Sequence, residues 1–387
     1  MPIRNRIADL HDEVTGWRRD MHKNPELMFE THQTSAFIAD KLREFGCDEV
    51  VTGIGRTGVV AVIKGKTDSA GKVVGLRADM DALPIKEATG LEYASQTEGV
   101  MHACGHDGHS AMLLGAAKYL AETRNFDGAL VVIFQPAEEG GGGAREMCED
   151  DMMARWNIQE VYGMHNWPGE PAGNFYIRPG PFFAATDQFD ITVEGCGGHA
   201  AKPQQTVDPT VAASQMVLSL QSVVSRNADP VQQMVISVTS FDTSSKAYNV
   251  IPASVHLRGT IRTMSTEMRA LAKKRLIEIA ENTALVFGAK AHVQYHPGYP
   301  VMRNHAQQTK LAADVARVVS GQCDEAPLVM GGEDFAYMLL ERPGAYILMG
   351  NGDTAAVHHP EYNFNDAAIP AGVSFWVELA ESRMPAA

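Results

Sequence analysis

The sequence predicts an α/β protein of two domains, the second inserted into the first. Three observations carry this. Near-continuous apolar runs of strand length alternate with segments of helical spacing at both ends of the chain, the pattern of strands covered on both faces by helices. Between about 186 and 297 the pattern changes to the order β-α-β-β-α-β, the ferredoxin-like split unit. The length, 387 residues, also exceeds one ordinary domain of ~100–200 residues.

In chain order, residues near 4–45 read as helical. Val59–Ile63 and Val73–Ala78 read as strands, the first ended by Lys64-Gly65. Residues 108–122 place Met112, Ala116, Ala117 and Leu120 at helical spacing, and Leu130–Phe134 is an apolar strand bounded by polar residues. In the insert, Phe189–Glu194 alternates as a strand. Asp208-Pro209 then supplies an N-cap with proline at the first helical position. Ala213, Val217, Leu220 and Val224 mark the apolar face of that helix. Gln233–Phe241 and Ala253–Thr263 are strands, 266–286 is a helix with Ala272, Leu276, Ile279 and Ala280 inward, and Ala291–Tyr295 closes the unit. After Pro297 the α/β pattern resumes with a helix over 305–319, a strand over Ala345–Met349 and a helix over 368–382. The expected division is a discontinuous domain, 1–185 with 298–387, and an inserted domain, 186–297.

The formal net charge is −14. A field of that sign argues against nucleic acid or an anionic membrane as the main partner. Five scattered cysteines do not suggest a disulfide framework. No apolar core follows the first residues, Met1 to Arg6, and no apolar run approaches the ~18 residues of a membrane span. A soluble, cytoplasmic protein is expected.

Chemistry concentrates in four places. His102-Ala103-Cys104-Gly105-His106-Asp107-Gly108-His109 packs thiolate and imidazole donors, natural ligands of zinc-like ions, into one short segment. Glu138-Glu139 directly follows an apolar strand, so one carboxylate can neutralise a metal while the other moves protons. Met164-His165-Asn166 and Val357-His358-His359-Pro360 follow other apolar segments. In open α/β sheets, sites form beyond the carboxyl ends of strands, where all four can lie. The donors exceed what one tetrahedral structural zinc needs and suit two catalytic ions with an open position for water. A serine nucleophile elbow is missing, and a Cys104–His106 protease pair would leave both glutamates idle.

These segments, with Gly75–Pro84, Gly331-Gly332-Glu333-Asp334-Phe335, His22–Glu26 and Tyr362–Asp366, resemble the M20 metallopeptidases over the whole chain, specifically their amidohydrolase branch of hippurate, N-acyl-amino-acid and indole-acetyl-amino-acid hydrolases. The resemblance implies a metallo-exopeptidase-like α/β/α catalytic domain with a lid. It implies two divalent ions (Mn, Zn, Co or Ni) held by Cys104, His106, Glu139, His165 and His358, with Cys104 bridging. Glu138 would be the general base, and Asp81 a carboxylate that supports the ligands. Asp79 stands where other branches carry a ligand histidine. From the lid, His199 would polarise the scissile carbonyl, and Asn249 and Arg262 would hold the substrate carboxylate. Lys202-Pro203-Gln204 departs from the Met-Pro-His frequent in relatives.

The activity so implied is hydrolysis of N-acyl amino acids, small-molecule substrates of hippurate, acetyl or aryl-acyl type, by a homodimer or homotetramer. A dipeptidase or carboxypeptidase is the alternative. A catalytically silent binding protein is disfavoured because every expected position is filled.

Overall fold

The computed structural model describes residues 5–386. The chain forms two compact units. Met1–Gly180, Arg303–Pro327 and Asp334–Ala387 make one, and Pro181–Met302 with Leu328–Glu333 make the other. The insert therefore extends a few residues beyond 186–297 at each end and takes in a short later segment.

The first unit is built on an eight-stranded sheet. At its centre Ala129–Gln135, Val73–Asp79, Glu160–Trp167 and Gly344–Gly350 run parallel, in that spatial order. Their carboxyl ends therefore share one edge. Leu130, Val132 and Phe134 enter a core with the helices Asn5–Lys23, His106–Thr123 and Ile369–Arg383, while Val131 and Ile133 are buried on the opposite face. Two-sided burial explains why these strands read as unbroken apolar runs.

The helix expected over 4–45 is two helices, Asn5–Lys23 and His32–Glu44; residue 4 lies outside the described residues. Pro25 disfavours helix at the residue before it, and the chain turns there. The strand Glu160–Trp167 is longer than the short Val161-Tyr162 run suggested, so His165 stands on the strand itself.

The second unit is a four-stranded antiparallel sheet ordered Met234–Thr243, Ser254–Thr263, Ala185–Glu194, Lys290–Pro297. Its helices, Pro209–Ser222 and Thr266–Val286, pack Met216, Leu220, Leu276 and Ala280 against Ile191, Leu257 and Ile261. Asp208 Oδ1 accepts from Thr210 N at 2.9 Å, and Ser265 Oγ from Met268 N at 3.2 Å, capping both. The expected apolar face of the first helix is partly corrected. Met216 and Val223 are buried, whereas Val224 is 39% exposed. Val223–Asn227 winds as a π turn, which changes the angular phase after Ser222.

Candidate metal centre

Residues from five chain segments meet at the carboxyl edge of the central strands. Asp81 follows the strand Val73–Asp79, Glu138 and Glu139 follow Ala129–Gln135, His165 is near the end of Glu160–Trp167, and His358 lies in the loop after Gly344–Gly350. Cys104 and His106 sit at the start of the helix His106–Thr123, whose N-cap, Gly105, is left-handed at φ +84°. A Cβ there would stand 2.3 Å from Tyr362 Oη and 2.4 Å from Asn166 Nδ2, so Gly105 is required for the tight turn between two donors.

The donor atoms of Cys104, His106 and His165 lie within 4.8 Å of one another, as do those of Cys104, Glu139 and His358 and those of His106, Glu138 and Glu139. Cys104 Sγ is 3.3 Å from His165 Nε2, and Glu139 Oε1 is 3.2 Å from His358 Nε2. Asp81 ties the set together. Its Oδ1 accepts from Glu138 N at 3.1 Å and faces His106 Nδ1 at 3.3 Å, and its Oδ2 accepts from Glu139 N at 3.1 Å. His165 Nδ1 donates to Asn166 O at 2.6 Å. With Nδ1 so engaged, both His106 and His165 turn Nε2 towards the cluster. His358 N donates to Ala103 O at 2.7 Å, fixing its loop against the Cys104 segment. His359 occurs in none of the clusters.

These residues fit a cationic centre. Among the described residues His106 Nε2 is buried without a hydrogen-bond partner, which is costly unless a ligand completes it, and Glu139 Oε1 faces only the His358 ring. Burial, with the carboxylates of Glu139 and Glu138, pushes the Cys104 thiol well above its usual value. Burial, with the nearby His109, pushes His165 well below. Burial works against ionisation of Glu139, but pairing with His358 and the charge of His106 hold its carboxyl below the ordinary range. Sulfur, imidazole and carboxylate in this ratio are the donors that zinc-like ions prefer.

In the second unit, Glu194 and Ser254 continue beyond the sheet into a short paired ribbon, Gly198–His199 with Val250–Ile251. His199 is exposed there, and its Nδ1 accepts from Ala201 N at 3.1 Å, which leaves the proton on Nε2. Asn249 O accepts from Ala200 N at 3.0 Å, so Asn249 and His199 are neighbours. Arg262 is not with them. It pairs in register with Thr186, at the far end of the strand from the Glu194 pair that leads to the His199 ribbon, roughly 26 Å along the strand from that pair. Its guanidinium is half-buried, donates to Thr260 Oγ1 and, at 3.1 Å, to Ile261 O, and forms no ion pair among the described residues. Burial lowers its pKa.

The model of peptidase family M20/M25/M40 matches residues 75–382. The chain belongs to this family. A hippurate hydrolase of Campylobacter jejuni is 40% identical over 379 residues, 97% of each chain. A thermostable carboxypeptidase of Saccharolobus solfataricus is 38% identical over 353 residues, covering 90% of this chain and 88% of that one. A Bacillus subtilis protein, whose crystal structure is that of a dinuclear metal-binding M20 peptidase, superposes with TM-score 0.86 at 34% identity, over 98% of this chain and 100% of its own. The protein is thus an M20 metallo-amidohydrolase acting on linear amides. Among its described residues no helix is long and apolar enough to cross a membrane.

This M20 chain also uses residues that sequence reasoning gave no role. Asp334, quoted only as part of a motif, accepts from Arg77 at 3.1 Å, Gln135 Nε2 at 2.8 Å and Ala144 N at 2.9 Å, and its own N–H faces Glu138 Oε1 at 3.4 Å. It thereby steadies both sides of the Glu138–Glu139 turn. Asn166 and Tyr362 bond each other beside Gly105 at 2.8 Å. The signal that could have found Asn166 is its position directly after a proposed ligand.

Proposed function

We propose that the protein hydrolyses the amide bond of N-acyl amino acids, releasing a carboxylic acid and a free amino acid. The observation that carries this is Arg262: a half-buried guanidinium whose hydrogen-bond partners among the described residues are a hydroxyl and a carbonyl, suited to bidentate pairing with the α-carboxylate of such a substrate. The name of the hippurate hydrolase relative supports the acyl class, that of the carboxypeptidase relative the alternative.

Cys104, His106, Glu139, His165 and His358 would hold two divalent ions of the Mn, Zn, Co or Ni group. When bound, such ions supply Lewis acidity and lower the pKa of water. Glu138 is buried beside them, its backbone fixed by Asp81. It takes the proton from the attacking water and hands it to the leaving amine. His199, with its proton on Nε2, donates to the carbonyl oxygen where charge develops.

The carbonyl and α-carboxylate of one substrate are only a few bonds apart. One lid cannot bring both His199 and Arg262 to them, given their separation along the strand. The separation supports a homodimer in which His199, with Asn249, serves the neighbouring subunit's site. Mixing inactive His199→Ala and inactive Glu138→Gln proteins tests this: restored turnover in proven heterodimers supports it, and continued silence refutes it. A panel of hippurate, N-acetyl amino acids and dipeptides with the metal-loaded enzyme tests the substrate class. Preference for dipeptides would favour the alternative.

A further inference from the structure

The segment 102–109 holds three histidines, and only His106 is assigned to the metal centre. Donor atoms of His109 lie within 4.8 Å of those of Asp79 and His106, and the three residues are all buried. On position alone they would qualify as a further ion site. The hydrogen bonds exclude His109 from that role. Its Nδ1 lies 2.6 Å from Asp79 Oδ1, and its Nε2 accepts from both Asn166 N at 2.9 Å and Asn166 Nδ2 at 3.0 Å. Two N–H donors converge on Nε2, so the proton is on Nδ1, facing the carboxylate. No lone pair remains for a metal.

Asn166 is the hub to which His109 is fastened. Its carbonyl accepts from His165 Nδ1 at 2.6 Å. Its Nδ2 donates to the carbonyl of Cys104 at 2.6 Å, and its Oδ1 accepts from Tyr362 Oη at 2.8 Å. The hub thus orients the ring of one proposed ligand and the main chain of another. Behind His109, Asp79 is held by Arg77 at 2.7 Å, and Arg77 donates to Gln135 Oε1 at 2.8 Å, on the strand that leads to Glu138. Asp79, Asn166, Tyr362 and Arg77 are wholly buried, and His109 is 2% exposed, so these bonds are shielded from bulk solvent. His109 follows His106 by one helical turn and projects from the same face, so a single turn supplies both a donor and its brace.

We propose that His109 is a positioning residue of the metal centre: with Asp79 it locks Asn166, and through Asn166 it sets where Cys104 and His165 present their donor atoms. This rests on the metal-centre reading above. Partners of this kind typically change metal affinity ~10–100-fold when removed.

The test uses the full-length protein stripped of metal and titrated with Co²⁺, whose thiolate charge-transfer and ligand-field bands report ligand placement independently of turnover. Wild type is expected to bind two equivalents and show the thiolate band. His109→Leu, close in bulk but without an acceptor, is expected to bind Co²⁺ ~10–100-fold more weakly with a shifted or weakened thiolate band. His109→Gln, whose amide oxygen can accept from Asn166, is expected to recover most of both. Tyr362→Phe removes one hydroxyl from the hub without opening the core. It should shift the band in the same direction by less, and it carries the test if the leucine variant does not fold. Affinity and band unchanged in His109→Leu, or in Tyr362→Phe where that variant carries the test, would overturn the proposal. So would a third Co²⁺ equivalent in wild type that is lost in His109→Gln, which would make His109 a ligand. Absence of a thiolate band in wild type would instead bring down the metal-centre reading itself.

Discussion

Glu138→Gln should leave the metal centre assembled and remove most of the turnover. The amide matches the carboxylate in size, and the Glu138 backbone is held by Asp81 at 3.1 Å rather than by its own side chain, so Glu139 stays in place. What is lost is a group that accepts a proton. General acid–base catalysis contributes ~10²–10⁴-fold, equivalent to about 2.7–5.4 kcal/mol of transition-state stabilisation. Glu139→Gln differs. Its Oε1 is buried and faces His358 Nε2 at 3.2 Å. Loss of that charge should weaken metal binding first, with activity restored in part by excess metal. The assay is paired: kcat on hippurate at saturating metal, and metal content by elemental analysis after dialysis. Metal lost from Glu138→Gln and retained by Glu139→Gln would refute the division of labour. A fall in kcat of less than ~10-fold for Glu138→Gln would refute its role as the base.

Gly105→Ala should destabilise the metal-free enzyme by roughly 2–5 kcal/mol. A left-handed alanine costs about 1–2 kcal/mol, and the new methyl meets Tyr362 and Asn166 well inside contact distance, a crowding worth ~1–3 kcal/mol. Thermal melts monitored by near-ultraviolet circular dichroism measure it, and an unchanged melt would show that the turn has room. Arg262→Ala should raise KM at least ~10-fold for hippurate and leave an amide-capped analogue nearly unaffected, since only the former offers the carboxylate; equal effects on both substrates would contradict the assignment. Asp187, 1% exposed in the second unit, accepts from Arg269 at 2.5 and 2.9 Å and from Gly298 N at 3.0 Å. Burial opposes its ionisation, but Arg269 and Tyr295 hold its carboxyl below the usual value. A depressed folded-state pKa gives stability that is full above the unfolded value, ~3.9, and lost as pH falls through the folded one. Asp187→Asn should therefore cost about 3 kcal/mol at neutral pH and flatten the acid limb of the melting curve below pH ~4. A variant that loses stability equally at pH 7 and pH 3 would contradict the linkage.

The sequence by itself determined which segments form the central strands and helices and which donors gather at the strand ends. Leu130–Phe134 is apolar on both faces because it is covered on both. Asp208 and Ser265 announce the helices they cap. Cys104 and His106 are conspicuous because such donors are rarely crowded into one turn. Their meeting with Glu139, His165 and His358 was legible because parallel strands bring their carboxyl ends to one edge. Only the tertiary structure decided which nitrogen of each histidine is free, because that depends on partners remote in the chain, such as Asp81 for His106. It alone showed that His109 is occupied on both sides by Asp79 and Asn166. It also separated His199 from Arg262, since register and direction in an antiparallel ribbon are set by pairing across the sheet, and no local periodicity records them.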